Sequence, residues 1–179
     1  MCAAMNHGAC NERISGRLTA ILLNPPTSTS GVRSRNAVHR AAAVLGYGSV
    51  EIVNLCSLPT RSVIDLNEKE HQYWAAARPD ISQALERSCS MLGAWGIAGL
   101  TGVARALRDR QVEWLYATAL DRGLTAIWMV GAKPRHPSRW HQYLSDKYGR
   151  TSGGPSVERL KEALVSVALP IAPRDPPAE

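Results

Sequence analysis

The stretch Leu18-Thr19-Ala20-Ile21-Leu22-Leu23, followed at once by Asn24-Pro25-Pro26, decides the fold class. Six residues, apolar except for Thr19, are too short for an ordinary helix and too continuous for a strand with one wet face. They read as a strand buried in a sheet. The two prolines end it, because they fix φ and withhold backbone donors. Three further runs repeat the pattern. Val50-Glu51-Ile52-Val53-Asn54-Leu55 is rich in β-branched residues and follows the turn signal Gly46-Tyr47-Gly48, Cys89 to Trp95 is weakened by Gly93, and Leu124 to Val130 follows the breaker Gly123.

Between these runs the apolar positions change period. Ala37, Val38, Ala41, Ala42 and Leu45 recur at helical spacing, as do Ile81, Ala84 and Leu85, and then Val112, Leu115, Tyr116 and Ala119. A last helix is predicted with Ser156 as its N-cap and Val157, Leu160, Ala163, Leu164 and Val167 on one face. Strand and helix in alternation imply right-handed crossovers and an α/β fold: a three-layer sandwich with a central four-stranded, mainly parallel sheet. In such sheets ligands bind beyond the carboxyl ends of the strands. The segments there are Asn24 to Ser30, Asn54 to Ser57, Gly96 to Gly99 and Gly131 to Arg139, the most polar and most punctuated stretches of the core.

A chain of 179 residues is sized for one domain with its own core. We expect a poorly ordered lead-in over 1–16, a single domain over 17–169 and a proline-rich tail over 170–179. Lys and Arg number 21 against 15 Asp and Glu, a net charge of +6 that favours an anionic partner such as nucleic acid or a nucleotide. Cys2, Cys10, Cys56 and Cys89 show no metal-ligand or redox spacing. With no 18-residue apolar run and no signal-peptide core, the expectation is a cytoplasmic protein, off the membrane and monomeric. Phe is absent, so Trp, Tyr, Leu and Val must fill the core.

Within the loops, Asn24 is presented by a rigid Pro-Pro segment with Pro25 and Thr27 beside it. Its amide can orient a water, read a base edge, or merely cap its own turn. Asn54, an amide inside an apolar strand, suits either a planar ligand with adjacent donor and acceptor or a neighbouring loop backbone. His136 stands among Lys133, Arg135 and Arg139, whose charges lower its pKa and favour a neutral imidazole able to donate to a developing anion; the alternative is a solvated loop histidine. Arg33, Arg35 and Arg40 follow a Ser/Thr loop and either fork onto phosphates or lie on a solvated helix face. Trp95 and Trp140 offer stacking surfaces for a base or, in a protein without Phe, core bulk. No phosphate loop, dinucleotide fingerprint, nucleophile elbow or metal-ligand set is present.

The strings LLNPPTSTSG, GYGSVEIVNLCSLPTR, AWG and GAKPRHPSRW, in this order and spacing, resemble a bacterial family, the domain of unknown function 1643 family. More distantly, the strand ends are similar to those of the uracil-DNA glycosylase superfamily. That resemblance implies a uracil-DNA-glycosylase-like fold in which Asn24 matches a water-positioning Asn and Asn54 falls where a base-selecting Asn lies. It places Gly96 after the third strand and matches His136 and Ser138 to the loop whose His stabilises the departing base. Arg139 and Trp140 would lie beside the minor-groove wedge; from their charge, Arg33, Arg35, Arg40, Lys133 and Arg135 are expected on the nucleic acid. The implied activity is hydrolysis of an N-glycosidic bond in DNA, before RNA, or in a related nucleotide, with no cofactor and no metal. A non-catalytic nucleic-acid or nucleotide binding module on the same fold is the competing expectation, favoured by the lack of a carboxylate in the first loop. A different small-molecule enzyme on the scaffold is a third.

Overall fold

The computed structural model describes residues 16–27, 31–68, 71–145, 147 and 150–170. Most of the expected lead-in and of the proline-rich tail, and Ser28, Thr29 and Ser30 of the first loop, lie outside the described residues. Five strands and six α-helices follow one another as β1 (Arg17–Leu22), α1 (Val32–Val44), β2 (Ser49–Asn54), α2 (Gln72–Ala75), α3 (Arg78–Glu86), β3 (Ser90–Gly93), α4 (Gly102–Asp121), β4 (Ala126–Val130), α5 (Trp140–Tyr143), α6 (Ser156–Ala163) and β5 (Leu164–Ala168). The 3-10 turns Val63–Glu68 and Pro137–Arg139 lie in the connections.

The sheet order is β2-β1-β3-β4-β5, with β1 to β4 parallel and β5 antiparallel to β4. Alternation along the strands sorts their side chains to two faces. Leu18, Ala20 and Leu22 pack with Val38, Ala41, Trp140 and Leu160, under α1, α5 and α6. Ile21, Val53, Met91 and Ile127 pack with Ile81, Leu85, Leu115 and Ala119, under α3 and α4. Apolar burial on both faces is what lets β1 read as a nearly unbroken hydrophobic run. Thr19, its polar side chain within that run, is fully buried and donates to the Ala84 carbonyl at 3.3 Å.

Two expectations are corrected. The sheet has five strands rather than four, because the helix expected to run through Val167 ends at Ala163 and the chain turns extended at Leu164, φ −77 and ψ 111. From Val130↔Leu164 to Ala126↔Ala168 it then pairs with β4, covering an otherwise open edge. Val165 and Val167 fit a strand as well as a helix, and the ladder of hydrogen bonds along β4 decides between them. Ser156 is not the N-cap of α6 but its first residue; Pro155 holds the cap position, with no side-chain cap bond. Proline's fixed φ suits the entry to a helix.

Candidate functional site

Strand order reverses between β1 and β3. The chain leaves β1 toward β2 on one side and leaves β3 toward β4 on the other, so the loops following these two neighbours diverge and open a crevice above their carboxyl ends. The loop after β1 begins at Leu23 and Asn24, the loop after β3 at Ala94, Trp95 and Gly96, and the loop after β4 carries His136.

Asn24 is half-buried, and its amide nitrogen spends both hydrogens within the protein. It donates to Thr60 Oγ1 at 2.9 Å and to the Pro25 carbonyl at 3.1 Å. Thr60 in turn donates to the Ser62 carbonyl at 2.9 Å, and Pro26 bridges Thr60 in parallel fashion. The loops after β1 and β2 are therefore stitched together. The amide is fixed in orientation, and its remaining capacity is Oδ1, an acceptor that can take a hydrogen bond from a water but cannot deprotonate it.

The β4 loop opens with two consecutive left-handed residues, Gly131 (φ 60) and Ala132 (φ 55). A Cβ at Gly131 would collide with the Tyr143 ring, so only glycine lets the turn pack there. At its far end His136 caps the Pro137–Arg139 turn. Its Nδ1 accepts the Ser138 backbone N–H at 3.3 Å and lies 2.8 Å from Ser138 Oγ. A backbone N–H can only donate, so Nδ1 is the unprotonated nitrogen and a neutral ring carries its hydrogen on Nε2. Burial holds the His136 pKa below its ordinary value near 6.5, and the Arg139 charge lowers it further. The neutrality expected from nearby cations has desolvation as its main cause.

Gly96 joins this loop to the crevice. Its N–H donates to the Pro134 carbonyl, and a Cβ on it would stand 3.6 Å from that of His136. At φ +88 the position favours glycine. Asn54 is half-buried at the end of β2, paired in register with Leu22, and its amide meets no side-chain or backbone partner among the described residues. Thr27 is exposed in the first loop. Trp95, 5 % exposed, and Trp140, 3 % exposed, are core side chains; the first packs against Tyr116 and the second donates to the Arg135 carbonyl at 2.7 Å. Neither ring offers a free face of any size, which corrects their reading as stacking platforms. Cys56 is buried, and burial pushes its thiol up, away from nucleophilic use.

A family described as "Protein of unknown function (DUF1643)" matches residues 11–138. The chain belongs to that family. No curated protein and no solved structure matches it. The matched stretch runs from before β1 to Ser138, so it holds Asn24, Asn54, Gly96 and His136 and stops short of Trp140, α6 and β5.

In this DUF1643 chain the expected nucleic-acid cations separate into two groups. Arg135 stacks on the Tyr143 ring at 4.5 Å, while Lys133 and Arg139 are exposed around the β4 loop. Arg33 and Arg40, two turns apart on α1, share one face with Ala37 and line a cleft of about 320 Å³ between α1, α5 and α6. Arg35 lies off that face and is absent from the lining. The cleft floor is apolar: Ala37, Pro137, Trp140, Leu144 and Leu160. Sequence reading missed Thr60, His141 and Arg159. Thr60 lies 36 residues from the amide it holds, and Arg159 reaches the cleft from a helix far along the chain. No described helix is long and apolar enough to cross a membrane.

Proposed function

We propose that this DUF1643 chain is an N-glycosyl hydrolase acting on a nucleobase in DNA or in a related nucleotide. The observation that carries the reading is the His136 ring, whose Nδ1 is occupied by the Ser138 N–H so that Nε2 is the donor, on a loop packed against Gly96 beside the reversal of strand order. A base that leaves with the electron pair of its C1′–N bond departs as an anion. A preorganised N–H donor stabilises such charge without reorganisation.

Asn24 supplies the second half. Its Oδ1 orients a water whose oxygen forms the new bond to C1′, while that water's proton passes to solvent or to the departing base. With no carboxylate in the described part of the first loop, the amide positions the water and does not deprotonate it. That suits a reaction in which the glycosidic bond is largely broken before the nucleophile arrives. Asn54, at the end of β2, whose amide has no partner among the described residues, is the natural reader of a base edge. The exposed Lys133 and Arg139 of the β4 loop favour a phosphate-bearing substrate.

A non-catalytic binding module is the second reading, favoured by the absence of a carboxylate from that loop. Incubation with single- and double-stranded oligonucleotides bearing uracil, hypoxanthine, xanthine or alkylated bases, with released base read by mass spectrometry, separates the two. Release that is lost in His136→Ala and Asn24→Ala supports the hydrolase. Salt-dependent binding without release of any base supports the module and overturns the hydrolase.

A further inference from the structure

The cleft between α1, α5 and α6 is walled by groups that ask for an anion. Arg33 and Arg40 stand about 10 Å apart along α1, two turns at 1.5 Å per residue, with the small Ala37 between them. Arg159 enters from α6, and His141, Ser138 and Ser156 complete the polar rim. No carboxylate is in the lining, and Arg33 and Arg40 form no ion pair among the described residues. A volume of about 320 Å³ matches a small metabolite rather than a folded partner.

We propose that this cleft binds a phosphate monoester of a compact molecule such as a sugar, with the guanidinium groups on the phosphate and the molecule's body on the floor formed by Pro137, Trp140 and Leu160. Arg33 and Arg40, which form no ion pair among the described residues, suit a dianion better than a single carboxylate, and guanidinium forks match phosphate oxygens in pairs. The floor is already buried and shapes the cleft rather than adding apolar area, and Ser138 ties the cleft to the catalytic loop. Its hydroxyl lies 2.8 Å from His136 Nδ1, so an occupant that engages Ser138 bears on the orientation of the imidazole. That coupling rests on the hydrolase reading; the phosphate site does not.

The test is isothermal titration of the full chain with inorganic phosphate, with ribose 5-phosphate and with a short oligonucleotide lacking terminal phosphates. Arg40→Gln and Arg159→Gln are compared with Arg105→Gln, which removes the same charge on the other face of the sheet, and thermal melts verify that each variant is folded. The proposal expects ribose 5-phosphate to bind, its affinity to fall about tenfold or more in Arg40→Gln and in Arg159→Gln, as loss of a charged hydrogen bond implies, and to hold in Arg105→Gln. Absence of binding by phosphate and monoester alike, or equal losses in all three variants, overturns it. Arginine-dependent binding of the oligonucleotide alone also overturns it and assigns these cations to a polynucleotide backbone. Base release by the His136 site, assayed in the same variants, stands or falls separately.

Discussion

On the face covered by α3 and α4, Arg105, Arg108 and Arg122 each reach a carboxylate, Asp109 or Glu86, Arg78 lies over Trp114 and only Arg110 has no ion pair or ring contact among the described residues, while at the strand starts Arg17 and Arg87 share Glu51 at 3.1 and 2.7 Å. On the face covered by α1, α5 and α6, Arg33 and Arg40 meet no carboxylate among the described residues and border a cleft instead. Both faces bury an apolar cluster, the one under α3 and α4 being the larger, so each face has a core of its own. Neutralised arginines are part of a surface that needs nothing more; uncompensated ones around a concavity leave a field that a bound anion would satisfy. The His136 loop stands at the border between the two regimes, with Pro137 and Ser138 in the cleft wall and the imidazole beside the crevice above β1 and β3.

The comparison breaks most severely if the cleft floor is not core. Trp140→Ala removes a 3 % exposed indole and is expected to cost about 3–5 kcal/mol in denaturant unfolding. Leu115→Ala, on the opposite face, is expected to cost about 2–5 kcal/mol. Only the first should also abolish ligand binding in the cleft under conditions where both variants are folded. A Trp140→Ala protein of native stability would mean that this face is loosely packed and that its cleft is no built feature.

A smaller effect sharpens the account of the crevice. Thr60→Val deletes the acceptor that fixes the Asn24 amide, and the lost hydrogen bonds are expected to cost about 1 kcal/mol of stability. Base release should fall with them through lost orientation of Asn24, with His136 untouched. The smallest effect belongs to the paired arginines. Arg105→Gln breaks an exposed ion pair of 4.0 Å and is expected to change stability by less than about 0.5 kcal/mol, measured by urea denaturation.

Much of this arrangement was legible in the sequence. The β1 run and the Val50–Leu55 run both form strands within a residue of the positions expected; β1 is buried as its continuous apolar run implies, whereas β2 lies at the sheet edge and buries only Val53. β5 was not legible, since Leu160, Ala163, Leu164 and Val167 hold helical spacing across a boundary that only pairing with β4 reveals. His136 was legible as a neutral histidine, although burial outranks Arg139 as the cause. The Asn24 to Thr60 bond and the convergence of α1 with α6 join residues remote in the chain. Local pattern carries no trace of such pairs.

The most direct measurement is nitrogen-15 NMR of the His136 imidazole across pH. The ring is expected to remain neutral with its hydrogen on Nε2 at pH 6.5 and to protonate only below that value, because its folded pKa is lowered by burial and then by Arg139. The sign follows for stability. The unfolded chain binds the proton first, so this residue's contribution is fully present above about pH 6.5 and is lost as pH falls toward the folded value. A ring that titrates at or above 6.5, or that carries its neutral hydrogen on Nδ1, would contradict the account, since Nδ1 would then not be the acceptor of the Ser138 N–H and Nε2 would not be the donor.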